Sequence, residues 1–583
     1  MFFLSALAQA AIAIVLQRRE WLDATAPVDN AIVVLGYSSF QGAVVGNVTQ
    51  YLGMPFAQPP VKNLRFRLPQ LPQHKTGVQD ATSFGAACPQ KTLSSIPGIN
   101  FTGNYASISE DCALLFGCCA RIIELLTCAD IMRGRFNYQR LRSNFNQTER
   151  QTTRRIRVLD IQWIHGGGFE IGDSTDTDLR PVVERSILIG EPMVIVTSNY
   201  RINALGFLAG KEAKAAGIGN IGLHDQRFAL EWIQRHIASF GGDRDKVIIW
   251  GLSAGSFSVG MHLVADDGNS AHLFRGAFMD SGGIFGAPPM EEAQEAYNVI
   301  VSNTGCTSAP DTLQCLREVD IQKLMDAIDL TPDLFAYSSL GNVWKPRVDG
   351  QLIKMNPLCA MRQGSYVKVP FIAGDCDDEG TFYIGCISDH NSSTTLEFLE
   401  YIQQYYLSGT TSSQVEEVGK LYPETAAEGS PFDTGTANQM TPQFKRLAAF
   451  QGDVFFQAPR CLLLQEASQT QDAWSYLYKR GKATPYLGAS HASDTRVWFA
   501  RNATDTYAVD AFIYFVTNLD PNHKSFLSNT TFWPRWQASQ SPPLTLTFTD
   551  PNGLSILADN FRTQQLETLT GLLIGMAERA NEC

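Results

Sequence analysis

The chain lacks any apolar run of the roughly 18 to 20 residues that cross a bilayer, which excludes a multi-span membrane protein. It lacks a basic surplus. Lys and Arg number 46 against 58 Asp and Glu, for a net charge of −12. An acidic chain has no electrostatic footprint for nucleic acid, and the charge reads as solubility. Cysteine is scarce: twelve in 583 residues are too few for a disulfide scaffold, though enough for a few bridges in a secreted enzyme. No Cys-x-x-Cys motif and no Cys/His cluster has zinc-ligand spacing, so neither a metal nor a cofactor is expected. The C-terminal end has no apolar tail of the kind a GPI anchor requires. There is no internal repeat and no low-complexity linker. What remains is ordinary globular composition, 44% hydrophobic, 18% charged and 10% aromatic. It excludes a mainly disordered, collagen-like or coiled-coil chain. At roughly 150 residues per domain the length suggests about four domains.

Phe2–Leu16 is apolar, about as long as a signal h-region and too short to span a bilayer. Ala6-Leu7-Ala8 and Ala11-Ile12-Ala13 are small-x-small cleavage candidates, and Arg18-Arg19 is a candidate dibasic site. Residues 1–19 are therefore expected to be a signal or pro-segment. Six sequons agree with secretion, at Asn47, Asn100, Asn146, Asn391, Asn502 and Asn529.

Through the middle of the chain, strand-like runs alternate with helical ones. Met193–Ser198, Lys246–Trp250, Val369–Ala373 and Ala473–Tyr478 read as strands. Asp225–Phe240 spaces Ala229, Leu230, Ile233 and Ile237 as one helix face, and Gly241-Gly242 stops it. This alternation predicts a mostly parallel sheet covered on both faces.

Gly251-Leu-Ser-Ala-Gly255 follows the Lys246–Trp250 strand, and proline-free Ala254–Val264 continues as a helix. Strand, sharp turn and helix with Ser253 at the apex is the context a nucleophilic serine requires. His165-Gly166-Gly167-Gly168-Phe169 follows apolar Trp163-Ile164. Three glycines let backbone N–H groups approach a ligand oxygen, as an oxyanion needs. A phosphate loop would need Lys-Ser/Thr next, and Glu170-Ile171 stands there. A nucleophilic serine needs a base and an orienting acid, in the chain order serine, acid, histidine. Of the nine histidines, only His390, His491 and His523 leave room for that acid. His390 lies too close to the best acid candidates, and His523 sits in a turn composition. The order therefore favours His491, in a small-residue loop. The acid should follow the Val369–Ala373 strand, but composition does not choose among Asp375, Asp377, Asp378 and Glu379.

These motifs converge on a family. Tyr51–Pro60 (YLGMPFAQPP), Leu64-Arg-Phe66, Ser109-Glu-Asp-Cys112, Asn220–Arg227 (NIGLHDQR), Phe240-Gly-Gly-Asp243, Gly429–Gly435 and Thr441–Arg446 carry the resemblance. The chain resembles the type-B carboxylesterase/lipase family of α/β-hydrolases, above all secreted fungal lipases of the Candida rugosa and Geotrichum type, over about residues 28–114 and 161–565. The resemblance implies an α/β fold, a mostly parallel sheet with helices on both faces and large insertions. It implies Glu379 as triad acid, His491 as base, oxyanion donors at Gly167, Gly168 and Ala254, and bridges Cys88–Cys112 and Cys306–Cys315. It sets Leu340, Phe382 and Tyr383 where such lipases line the acyl site, and Asn342 where they are often apolar. The motifs also join residues 253 to 491 in one site, which replaces four domains by one spanning 20–583.

Three departures matter. Leu252 stands where the family usually has Glu, and it does no chemistry. The Cys88–Cys112 loop looks like the family lid but has only 23 intervening residues, which predicts weak interfacial activation. Residues 115–160 do not match. Phe116–Asp160 carries nine arginines, no lysine and three clustered cysteines, and Asp160 and Gln162 are polar where a buried strand should be apolar. A retained intron or shifted frame is preferred there to a basic insertion loop. The expectation is a secreted serine carboxylic-ester hydrolase for short to medium acyl esters, with a small-molecule ester or lipid as partner. The alternatives are a true triacylglycerol lipase, an inactive binding homologue, or a misfolded product.

Overall fold

The computed structural model describes residues 31–94, 107–120, 158–385, 393–501, 504–522 and 531–583. The expected leader 1–19, His390 and His523 lie outside them, as do Asn100, Asn146, Asn391, Asn502 and Asn529. Asn47 is exposed, in the turn between two strands.

A small sheet joins β1 (Ile32–Val34), β2 (Ser39–Gln41) and β5 (Val78–Asp80). The main sheet has eleven strands: β3 (Ala43–Val45), β4 (Val48–Pro55), β6 (Leu114–Ala120), β7 (Val158–Ile164), β8 (Met193–Ser198), β9 (Gly242–Leu252), β10 (Gly276–Asp280), β11 (Phe371–Cys376), β12 (Ala473–Tyr478), β13 (Leu544–Thr549) and β14 (Gly553–Ala558). Their order is β14-β13-β12-β11-β10-β9-β7-β8-β6-β4-β3. From β8 to β13 every neighbouring pair is parallel, and the strands at both margins are antiparallel. Parallel strands need crossover helices, and helices lie on both sides. Helix Ile221–His236 packs on the helix beginning at Ala254, and Arg180–Leu188 packs on Tyr507–Asn518. The first of these ends in a 3-10 turn, Ile237–Phe240, where Gly241 takes φ 90°.

Burial explains why the strands read as apolar runs. Every residue of β8, β10, β11 and β12 is buried. The expected break through 115–160 is corrected at both ends. Leu114–Ala120 forms the strand between β4 and β8, with Leu115 and Phe116 in the core. Val158–Ile164 forms the strand between β8 and β9. Neighbours serve part of each buried polar group here, while Asp160 Oδ1 and Gln162 Oε1 have no hydrogen-bond partner among the described residues. Asp160 accepts the Asp243 N–H at 2.6 Å, and Gln162 donates to Ser198 and to the Gln226 carbonyl, each at 3.3 Å. Burial also holds the Asp160 carboxyl well above its ordinary range, despite the Asp243 N–H. Residues 121–157 of the 115–160 stretch lie outside the described residues.

Candidate active site

β9 runs to Leu252, and a helix starts at Ala254. Between them Ser253 holds φ 58°, ψ −123°, a conformation that costs a non-glycine residue of order 1–3 kcal/mol. The turn persists because its surroundings fix it: Ser253 N–H donates to the Asp280 carbonyl at 3.0 Å, and Phe257 N–H donates to the Ser253 carbonyl at 2.8 Å. The flanking glycines are required by space. A Cβ on Gly255 would lie 2.0 Å from the Ile164 carbonyl oxygen, and one on Gly251 would lie 2.3 Å from Gly255. Leu252, where the family usually has Glu, packs half-buried against the core.

The glycine loop leaves β7 beside this turn, and a Cβ on Gly166 would stand 3.1 Å from the Ser253 Cβ. Gly167 and Gly168 both take positive φ, 103° and 61°. In a planar trans peptide the N–H points opposite the preceding carbonyl, so anchoring one aims the other. The Gly166 carbonyl is held by His165 Nδ1 at 2.9 Å, which directs the Gly167 N–H. The Gly167 carbonyl accepts from Glu170 and Ile171 N–H at 3.0 Å each, which directs the Gly168 N–H. The Ser253 carbonyl, held by Phe257, directs the Ala254 N–H. Burial lowers the His165 pKa to about 4, so the ring stays neutral with its proton available to Gly166.

Composition left four carboxylates open, and their partners separate them. Asp375 lies 3.2 Å from the Arg460 guanidinium, and both are fully buried. Asp377 takes Lys482 at 2.6 Å and also faces Lys479 and Arg562. Asp378 takes Lys482 at 2.6 Å, Phe432 N–H at 2.7 Å and Ala489 N–H at 2.8 Å, tying the histidine loop to β11. Glu379 alone of the four meets a histidine: its Oε2 lies 2.5 Å from His491 Nδ1. Its Oε1 accepts the Cys376 N–H at 2.7 Å. The His491 ring packs among Phe456, Tyr383 and Phe382, with centroids 5.0, 5.3 and 6.3 Å away.

Ser253, Ala254 and Gly168 line one solvent-open cavity. Leu340, Asn342 and Tyr383 line it, while Phe382 stays outside its lining. Asn342 does not turn its amide loose in the pocket: Nδ2 donates to the Gly168 carbonyl at 2.8 Å and to the Trp344 carbonyl at 3.4 Å. The sequence reading missed Phe169, Phe257, Phe285, Leu334, Phe455 and Lys345, which also line the cavity. Phe169 adjoins the glycine loop, and Phe257 lies one helical turn beyond Ser253, so local spacing could have found both. Leu334, Lys345 and Phe455 carry no local signal.

The pairs Cys88–Cys112 and Cys306–Cys315 are bonded, and so is Cys359–Cys583, a pairing the sequence left open. Among the described residues no group of three His, Cys, Asp or Glu could hold a metal ion, and no helix is long and apolar enough to cross a membrane.

Comparison with known proteins matches residues 29–567 to the Carboxylesterase family. The secreted triacylglycerol lipase LIP1 of Gibberella zeae is 36% identical over 543 residues, covering 90% of this chain and 87% of that protein. Lipase 4 of Diutina rugosa is 36% identical over 534 residues, covering 89% and 92%. Among solved structures, Aspergillus niger EstA superposes with a TM-score of 0.76 at 26% identity, covering 94% of this chain and 99% of that one. By sequence over nearly its whole length and by its α/β-hydrolase architecture, the chain belongs to the carboxylesterase family and is a carboxylic-ester hydrolase.

Proposed function

We propose that the protein is a secreted serine esterase, with Ser253 as nucleophile, His491 as base and Glu379 as orienting acid. The observation that carries the reading is the Glu379–His491 pair, whose histidine ring packs on Tyr383, a lining residue of the cavity onto which the serine and glycine loop open. Ser253 Oγ attacks the ester carbonyl as His491 Nε2 takes its proton. Glu379, on Nδ1, fixes the tautomer and stabilises the imidazolium. The N–H groups of Gly167, Gly168 and Ala254 receive the oxyanion, each such donor contributing about 3 kcal/mol to lowering the barrier. His491 returns the proton to the leaving alcohol. Water, activated by the same imidazole, then releases the acid and restores Ser253.

Short and medium acyl chains are the preferred substrates in this reading. The lid loop between Cys88 and Cys112 is short, of which residues 95–106 lie outside the described residues. The names of the relatives favour a second reading, a triacylglycerol lipase. Secretion is supported by the apolar leader and by relatives named as secreted. Residues 20–583 are read as one domain. The test is hydrolysis of p-nitrophenyl esters of rising chain length by wild type and by Ser253→Ala. The variant should lose roughly 10⁶-fold in turnover. Rates should peak at short or medium chains. Retained hydrolysis in the variant refutes the nucleophile, and a maximum at long emulsified triglycerides favours the lipase reading.

A further inference from the structure

Apart from Ser253 itself and the Tyr383 hydroxyl, the lining of the Ser253 cavity carries two polar side chains, Asn342 and Lys345. Asn342 is engaged with two carbonyls. Lys345 is not: among the described residues its ammonium makes no hydrogen bond and no ion pair. That is unusual in a half-buried lysine, because a desolvated ammonium without a partner is costly.

The charges around it do not neutralise it. Arg347, two residues on, is a second cation whose guanidinium donates to the Pro289 and Val343 carbonyls, at 3.1 and 3.0 Å, rather than to a carboxylate. Two carboxylates attract Lys345 from a distance, Glu292 and Glu170. Glu170 has its own partner, the Leu334 N–H at 2.8 Å, and burial pushes its carboxyl up to about 8, so it carries little charge at neutral pH. The nearby Lys91 is saturated differently, by the Ile328 carbonyl at 2.7 Å and by the carbonyl and hydroxyl of Thr331. Burial lowers Lys345 itself to about 8, which leaves it mainly protonated at pH 7. Among the described residues the Lys345 ammonium thus has no direct partner, and Glu292 attracts it only from a distance. In sites of this kind a few placed polar groups in an apolar lining set orientation and specificity.

We propose that Lys345 is a specificity-determining residue that selects esters whose acyl chain carries a carboxylate, that is, monoesters of dicarboxylic acids. The proposal rests on the reading of Ser253 as nucleophile and of this cavity as its acyl site. The carboxylate completes the ion pair when the acyl chain enters, and the methylenes between it and the ester lie against the aromatic lining. A charge-assisted pair in a partly desolvated pocket is stronger than the same pair in water.

The test compares mono-p-nitrophenyl adipate and suberate with their methyl-capped diesters, which share length and leaving group but lack the charge. Wild type should favour the free acids by about tenfold or more in kcat/KM. Lys345→Met should abolish or reverse that preference, with organophosphate labelling counting the folded sites in each preparation. A wild type that cleaves the capped diesters equally well or better overturns the proposal without recourse to any variant. So does a Lys345→Met enzyme that keeps the preference for the free acids. If Ser253→Ala is inactive while wild type shows no preference, only the role of Lys345 falls. If Ser253→Ala still cleaves these esters, the underlying reading falls with it.

Discussion

At the level of single residues, chemistry is divided by partners more than by type. Four carboxylates stand within five positions at the end of β11, and three are occupied by cations. Only Glu379 is left to a histidine. Sequence alone could not make that choice, because it depends on Arg460, Lys479, Lys482 and Arg562, up to 185 positions away. Ser253 and the glycines were legible for the opposite reason: their strand-turn-helix and glycine-run patterns show within a few residues of sequence. Glu379→Gln should keep the fold and cost about 10⁴-fold in kcat, since the amide presents the wrong group to Nδ1. Stopped assays of kcat with a circular-dichroism check would measure it. A loss below tenfold would make one of the other carboxylates the functional acid.

Among the elements, the buried parallel strands were read with little error. Ala473–Tyr478 is a strand over the expected residues, and Met193–Ser198 likewise. Polarity misled the reading at β7. Asp160 and Gln162 are buried because β9, β8 and helix Ile221–His236 provide partners that no local window reveals. The same helix faces His262, whose Nε2 meets Gln226 Oε1 at 2.9 Å. Burial lowers the His262 pKa to about 3, below the unfolded value of about 6.5. A depressed pKa means that the unfolded chain takes up the proton first. The stability that neutral His262 contributes is therefore complete above pH 6.5 and is lost as the pH falls towards 3. Between pH 7 and 4 this amounts to about 3 kcal/mol. Thermal melts of His262→Asn should accordingly lose less stability than wild type over that interval. Parallel pH profiles for the two proteins would contradict this.

At the scale of the molecule, length suggested several domains, yet one sheet collects strands from residue 43 to residue 558. Ser253, Glu379 and His491, the proposed triad, follow the ends of β9, β11 and β12. In the proposed site the order of these strands in the sheet, not their distance in sequence, would bring the three residues together. Composition cannot report that order, because long connections and insertions intervene. Residues 121–157, arginine-rich and lying in sequence between β6 and β7, are proposed to belong to a retained intron or frame-shifted stretch within 115–160. Transcript sequencing should recover a shorter product in which a short connection carries the chain from β6 past β8 to β7. A full-length transcript with an active secreted protein would make the stretch a genuine insertion.

The central claim is that these elements assemble one activated serine. A fluorophosphonate reacts only with a serine that has its base and oxyanion donors in place. Incubating the secreted protein with such a probe and mapping the adduct by mass spectrometry should give one label per chain, on Ser253, and none in Ser253→Ala. Stoichiometric labelling at another serine, or none on a folded protein, would contradict the account.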